Sequence, residues 1–302
     1  MSLKQTLRGT GVAIVTPFKK NGDVDFPALE RFIDHLIAGG VEYIVSLGST
    51  GEAATLEMAE MADIVHCTCQ RVGDRVPVVV GLAGNNTAQL IRNLDALPLD
   101  GCVAVLSSSP AYNKPTQEGI FQHYRSFSQA CPKPVLLYNV PGRTGSNLSA
   151  DTTLRLAREC PHVAGIKEAS GNMVQCMHIL REAPRDFLVV SGDDHLAFPL
   201  IALGMDGVIS VAANCFARAF SDMIRQVLRR DLERAQETQY RLLQGLDLLF
   251  VENNPAGLKC FLAEMGLIEN VLRLPLVPVS TATHQKIRDF LATTINHSNN
   301  EP

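Results

Sequence analysis

Tryptophan is absent from this 302-residue chain and tyrosine occurs only five times, so every tyrosine that a fold buries is a candidate for a specific role. Long apolar runs are also lacking. No stretch reaches 18 consecutive apolar residues, which excludes a transmembrane helix, and the N-terminus has no charged-then-apolar leader pattern. A cytoplasmic protein is expected. An excess of one charge is missing too: 27 Lys and Arg stand against 31 Asp and Glu, and the basic residues are dispersed rather than striped. Binding to nucleic acid or to a membrane surface therefore has little electrostatic support. The eight cysteines (67, 69, 102, 131, 160, 176, 215 and 260) show no paired CxxC spacing. Most lie in apolar contexts, as reduced core cysteines do. On a helix Cys67 and Cys69 point about 200° apart, and no second ligand pair follows, so no metal site is expected.

What is present is an ordinary globular composition, 46% hydrophobic and 19% charged, long enough for a substantial core. Eight apolar, β-rich segments recur, at residues 12–16, 43–47, 76–82, 102–106, 135–139, 163–167, 187–191 and 208–211. The spacers between them read as helices. The first covers residues 26–38, with Asp23 or Asp25 as its N-cap and Pro27 in its first turn. Leu29, Phe32, Ile33, Leu36 and Ile37 form its buried stripe, and Gly39-Gly40 ends it. Strands that are apolar throughout are covered on both faces, which fits a parallel sheet closed as a (β/α)8 TIM barrel. A doubly wound open sheet is the alternative, but no GxGxxG follows the first strand. After residue 211 the β pattern stops. The chain is expected to divide into a barrel, residues 1–230, carrying the active site, and a C-terminal helical extension, residues 231–302.

One residue breaks the pattern. Lys167 stands in the apolar run Val163-Ala164-Gly165-Ile166-Lys167-Glu168. A lysine in such a place reaches water by snorkelling or acts as an amine. At an ordinary pKa roughly 1 lysine in 2,500 is neutral at pH 7, and burial raises that fraction. In barrels of this class chemistry lies at the carboxyl ends of the strands. There the second segment runs into Gly48-Ser49-Thr50-Gly51-Glu52, where hydroxyls and backbone N–H groups suit a carboxylate or phosphate. The fourth leads to Ser109-Pro110-Ala111-Tyr112, and the fifth to Tyr138-Asn139-Val140-Pro141-Gly142-Arg143-Thr144-Gly145. The sixth ends at Lys167 and the seventh at Ser191-Gly192-Asp193-Asp194. A phenol one strand from an amine is what imine formation needs, because protons must move as a carbinolamine becomes a Schiff base. Arg143 offers a fork for a carboxylate. Asp193 and Asp194 share one turn with no matching ligand pattern, so a loop-fixing or capping role is expected of them.

Together with Gly207-Val208-Ile209-Ser210, these motifs resemble the dihydrodipicolinate synthase (4-hydroxy-tetrahydrodipicolinate synthase) family over about residues 8–292. That family belongs to the pyruvate-dependent class I aldolase superfamily, which includes the N-acetylneuraminate lyases. The resemblance implies a lyase of lysine and diaminopimelate biosynthesis that needs no cofactor and condenses pyruvate with L-aspartate 4-semialdehyde. In that reading Lys167 forms the imine with pyruvate and Tyr138 shuttles protons. Ser49 and Tyr112 extend the relay. Ser49, Thr50 and nearby amides hold the pyruvate carboxylate, Arg143 receives the carboxylate of the second substrate, and backbone around Ile209 lines the pyruvate pocket. It further implies a homotetramer, a dimer of dimers, in which Tyr112 reaches across a subunit interface.

Two departures stand out. Ser49 replaces the usual threonine, keeping the hydroxyl but losing the methyl that restricts its rotamer. Some family members bind L-lysine as an inhibitor between paired subunits. Asn85 matches that cleft, but Met58, Met61, Gln89 and Ala111 replace two histidines, a glutamate and a tyrosine, so weak or absent inhibition is expected. The closest rival activity is cleavage of N-acetylneuraminate or a 2-keto-3-deoxy sugar acid. Arg143, which sugar-acid lyases generally lack, favours the synthase. A metal-dependent aldolase and a non-catalytic pyruvate sensor are more distant readings.

Overall fold

The computed structural model describes residues 2–298; the end of the expected extension, residues 299–302, lies outside them. Eight parallel strands close into a barrel in sequence order: β1 (Gly9–Ala13), β2 (Tyr43–Ser46), β3 (Val78–Gly81), β4 (Ala104–Ser108), β5 (Val135–Asn139), β6 (Val163–Glu168), β7 (Leu188–Ser191) and β8 (Gly207–Ser210). β8 pairs back onto β1, Gly9 to Gly207 through Val12 to Ser210, which completes the ring. This is the (β/α)8 barrel expected from the sequence, not the open sheet.

Helices in chain order are α1 (Leu3–Thr6), α2 (Phe26–Ala38), α3 (Met58–Val72), α4 (Thr87–Asn93), α5 (Gln117–Ala130), α6 (Pro141–Thr144) and α7 (Ala150–Glu159). They continue with α8 (Met173–Glu182), α9 (Ala197–Ala202), α10 (Ala217–Leu228), α11 (Leu232–Phe250), α12 (Ala256–Glu264) and α13 (Thr281–Ser298). The α2 bounds match the sequence expectation. Asp25 is its cap, accepting from the Ala28 N–H at 3.1 Å, and Leu29, Phe32, Ile33 and Leu36 are buried.

Strand β1 lies three residues earlier than its apolar run suggested. Its Gly-Thr-Gly start reads as a poor strand, yet tertiary packing requires it. A Cβ on Gly11 would stand 2.2 Å from the Tyr43 ring, which fills the barrel interior. The short α1, which carries no long periodic signal, brings Leu7 into that same inner core and plugs the amino end of the barrel. A second, larger core fills the space between strands and surrounding helices. Helices α11, α12 and α13 pack on one another, and α11 also meets α9 and α10, so the C-terminal segment folds back over the barrel. No helix among the described residues is long and apolar enough to cross a membrane.

Candidate active site

At the carboxyl ends of the strands lies a cavity of about 980 Å³, walled by Ser49, Thr50, Glu52, Tyr138, Arg143, Lys167 and Gly192 among others. Strand register sets its centre. Tyr138 on β5 and Lys167 on β6 are directly paired, so both side chains point to the same face of the sheet, inward. The Lys167 amine lies 4.5 Å from the Tyr138 ring centroid. Lys167 is 5% exposed, so it does not snorkel away from the barrel; what remains accessible faces the cavity.

The next residue points the other way and anchors the strand. Glu168 is buried and accepts from Asn139 Nδ2 at 2.9 Å, from Gln175 Nε2 at 2.9 Å and from the Ser170 N–H at 2.7 Å. These bonds tie β6 to β5 and to α8, holding the lysine in register. Gly192 completes the lysine's slot. A Cβ there would stand 2.8 Å from Lys167 Cε, 3.0 Å from its Cγ and 2.7 Å from Ala169 Cβ, so the aliphatic stem lies directly on this backbone.

The loop after β2 forms the opposite wall. Residues Ser49–Gly51 make one tight turn, closed by Gly51 N–H to Gly48 C=O at 3.0 Å, and Thr16 donates its hydroxyl to Gly51 C=O at 2.7 Å. Glu52 then takes a left-handed conformation at φ 53° and turns its carboxylate inward, against Lys259 of α12 at 2.5 Å. Both side chains are fully buried. Burial lowers the Lys259 amine to about 8, against the opposing pull of Glu52. Lys259 also donates to Val271 C=O at 2.9 Å, and the Arg273 N–H donates to the second oxygen of Glu52 at 3.0 Å. Arg273 in turn grips Glu60 at the start of α3 through both guanidinium arms, at 2.7 and 2.5 Å. A buried carboxylate paired this closely holds the turn to the C-terminal segment.

Asn254, from the α11–α12 connection, links the two walls. Its Nδ2 donates to Thr50 Oγ1 at 3.0 Å, and its backbone carbonyl accepts from an Arg143 arm at 3.2 Å. Arg143 sits on α6, directly after β5, at the solvent side of the cavity. The two aspartates serve the loops. Asp193 Oδ1 accepts from the His195 and Leu196 N–H groups at the head of α9, at 3.0 and 3.3 Å. Asp194 is buried and accepts from the Val211 and Ala212 N–H groups at 3.0 and 2.8 Å, joining the ends of β7 and β8; burial pushes its carboxyl above the ordinary range despite those bonds.

Five of the seven residues singled out from the sequence therefore meet in one cavity: Lys167, Tyr138, Ser49, Thr50 and Arg143. Ile209 does not wall it. Its side chain is buried in the inner core, and Val211 stands nearer the opening. Tyr112 is not at the cavity either: it is 91% exposed, with a left-handed backbone at φ 69° whose N–H donates to Thr144 C=O at 3.1 Å. Sequence reasoning missed the supporting residues. Alternation along β6 implies that Glu168 faces away from Lys167, whereas nothing local to Asn254 or Lys259 announces partners some 200 residues earlier in the chain.

The profile of the Dihydrodipicolinate synthetase family matches residues 6–294. The 4-hydroxy-tetrahydrodipicolinate synthase of Parabacteroides distasonis is 47% identical over 285 residues, covering 94% of this chain and 96% of that protein. Among solved structures, the chloride-inhibited dihydrodipicolinate synthase of Acinetobacter baumannii complexed with pyruvate superposes with a TM-score of 0.92 at 39% identity, over 95% of this chain and 98% of that one. A monomeric dihydrodipicolinate synthase variant matches with a TM-score of 0.93 at 39% identity, over 96% and 97% of the two chains.

Proposed function

The chain belongs to the dihydrodipicolinate synthetase family, and from that premise we propose that it condenses pyruvate with L-aspartate 4-semialdehyde through an imine on Lys167. The observation that carries this reading is the register pairing of Lys167 with Tyr138 inside a cavity that also presents the Ser49-Thr50 turn and Arg143. The neutral amine of Lys167 attacks the ketone carbon of pyruvate. Tyr138 supplies and recovers the protons as the carbinolamine loses water and becomes the imine. The hydroxyls and N–H groups of the turn hold the pyruvate carboxylate and so fix the face presented to the amine. Loss of a proton from the methyl group gives an enamine. Its carbon attacks the aldehyde of the second substrate, and the resulting alkoxide takes a proton through the same tyrosine. The substrate's own amine then adds to the imine carbon, expels the Lys167 amine and closes the ring.

Arg143 at the outer wall provides a bidentate site for the second substrate's carboxylate, in the same cavity as the buried lysine. Cleavage of N-acetylneuraminate would use the same lysine and tyrosine but not this guanidinium. The test is borohydride reduction in the presence of pyruvate, followed by peptide mass spectrometry, beside turnover assays with both substrate sets. A reduced pyruvate adduct on Lys167 and turnover only with L-aspartate 4-semialdehyde are expected. An active protein that yields no adduct overturns the mechanism, and preferential N-acetylneuraminate cleavage overturns the substrate.

The same reading includes a homotetramer in which Tyr112 serves the relay of a neighbouring subunit. Its support is an aromatic side chain almost wholly in solvent on a backbone in the left-handed region, which costs about 1–3 kcal/mol for a residue that is not glycine. Sedimentation should give four chains per particle, and Tyr112→Phe should lower kcat without changing that mass. A fully active monomer overturns this part.

A further inference from the structure

Of the eight cysteines, two face each other. Cys69, in the last turn of α3, and Cys102, just before β4, have their sulfurs 3.6 Å apart. Glycine makes this approach possible. A Cβ on Gly101 would stand 3.0 Å from Cys69 Cβ and 3.1 Å from its sulfur, so the loop backbone lies directly on the helix at this point. Cys102 is buried, while Cys69 is partly accessible to solvent.

The two thiols are electrostatically unequal. Cys69 is held below the ordinary thiol range, chiefly by the hydrogen bond it shares with Cys102 and further by the Lys133 ammonium, with burial opposing. Cys102 is pushed up, by the hydrogen bond it shares with Cys69 and by burial. Lys133 is kept nearby by donating to Asp100 C=O at 3.2 Å. The other six thiols are raised by burial, including Cys67, which like Cys69 is partly accessible. Nucleophilic sulfur is thiolate, so oxidants discriminate among cysteines by this difference and by access.

We propose that Cys69 and Cys102 form an oxidisable dithiol, in which Cys69 reacts with a hydroperoxide and Cys102 resolves the product to a reversible disulfide strap between α3 and the β4 edge of the barrel. In the first step the Cys69 thiolate attacks one peroxide oxygen and the O–O bond breaks. Cys69 becomes a sulfenic acid, and the leaving oxygen departs as water after taking a proton. In the second, the Cys102 sulfur attacks the Cys69 sulfur, the S–O bond breaks, and the hydroxyl leaves as water with the Cys102 proton. Two thiols lose two electrons in total, and the peroxide gains them. The sulfurs need to close from 3.6 Å to a bond of about 2.05 Å. The strap encloses β3 and α4, a segment whose freedom in the unfolded chain it restricts, so it stabilises the folded state.

The experiment is exposure of the full-length protein to hydrogen peroxide, alkylation of remaining thiols, and peptide mapping without reduction. Two of the eight thiols are expected to disappear, with the peptides carrying Cys69 and Cys102 joined, the thermal midpoint raised, and all changes reversed by dithiothreitol. Sulfinic or sulfonic acid on Cys69 with Cys102 still free, a link to any other cysteine, eight intact thiols, or a lowered thermal midpoint each overturn the proposal. In Cys102→Ser the same treatment should add oxygen to Cys69 instead of removing hydrogen. A cross-linked product from that variant would likewise sink it. The map of the unaltered protein decides the matter even where the variant folds poorly.

Discussion

Gly192→Ala tests whether the placement of Lys167 governs turnover. The added methyl would stand 2.7 Å from Ala169 Cβ, 2.8 Å from Lys167 Cε and 3.0 Å from Lys167 Cγ. Ordinary carbon contacts are about 3.5–4.0 Å, so the lysine stem has to move by roughly 0.5–1 Å. The backbone at Gly192 is not in the left-handed region, so alanine adds no backbone strain of its own. Misplacing a nucleophile by about 1 Å can cost ~10²-fold in rate, equivalent to about 2.7 kcal/mol of barrier. The expected result is a loss of that order in kcat, with a parallel slowing of borohydride trapping by pyruvate. Overpacking of this kind costs on the order of 1–3 kcal/mol of stability, so the fold survives and the thermal midpoint falls by a few degrees. The assays are steady-state turnover, single-turnover trapping and a melting curve on the same preparation. Wild-type kcat and trapping rate in a folded Gly192→Ala protein would refute the claim that this contact sets the amine's position.

Further outcomes follow from other contacts. Lys259→Met leaves the buried Glu52 carboxylate without its counter-ion, and should cost roughly 3–5 kcal/mol of unfolding free energy in a denaturant titration. Adding Glu52→Gln to that variant should recover much of the loss, and equal instability of the single and double variants would contradict the pairing. His123 is buried with Nδ1 2.8 Å from Thr87 Oγ1, and burial lowers it to about 4. Because the folded value lies below the unfolded one, near 6.5, the unfolded chain binds the extra proton first and stability falls as pH drops through that window. The loss between pH 7 and pH 5 should be roughly 2 kcal/mol from this group, seen as a lower urea midpoint that His123→Asn largely abolishes. L-lysine at millimolar concentration should leave the rate nearly unchanged, since Met58 and Met61 pack against the core and the Gln89 side chain is engaged by Asn93 and Arg92 at 2.8 and 2.7 Å. Strong inhibition below a millimolar would overturn this.

Much of the architecture is legible in the chain itself, for a local reason. Strands covered on both faces must be apolar throughout, and helices on a barrel's outer layer must carry a stripe, so eight alternations of the two patterns leave few other folds. β1 lies earlier than its apolar run suggests because the glycines that open it answer to residues of the next strand and the turn before it, Gly11 to the Tyr43 ring and Gly9 to the Glu42 side chain, and not to any property of their own segment. The centre of the site is legible for a related reason. Strand ends face one mouth, so a tyrosine closing β5 and a lysine closing β6 come together once the register is known.

By itself, then, the sequence determined the barrel, which is written in the periodicity of its strands and helices, and marked the lysine, the tyrosine and the arginine as candidates at or just beyond its strand ends. Only the tertiary structure decided what holds them. Glu52 meets Lys259, Asn254 spans Thr50 and Arg143, and Cys69 faces Cys102 because chain closure brings together residues whose separation carries no periodic signal. It also decided that Tyr112 stands outside its own chain's cavity. Contacts of that kind depend on where whole elements pack, which no window of sequence encodes.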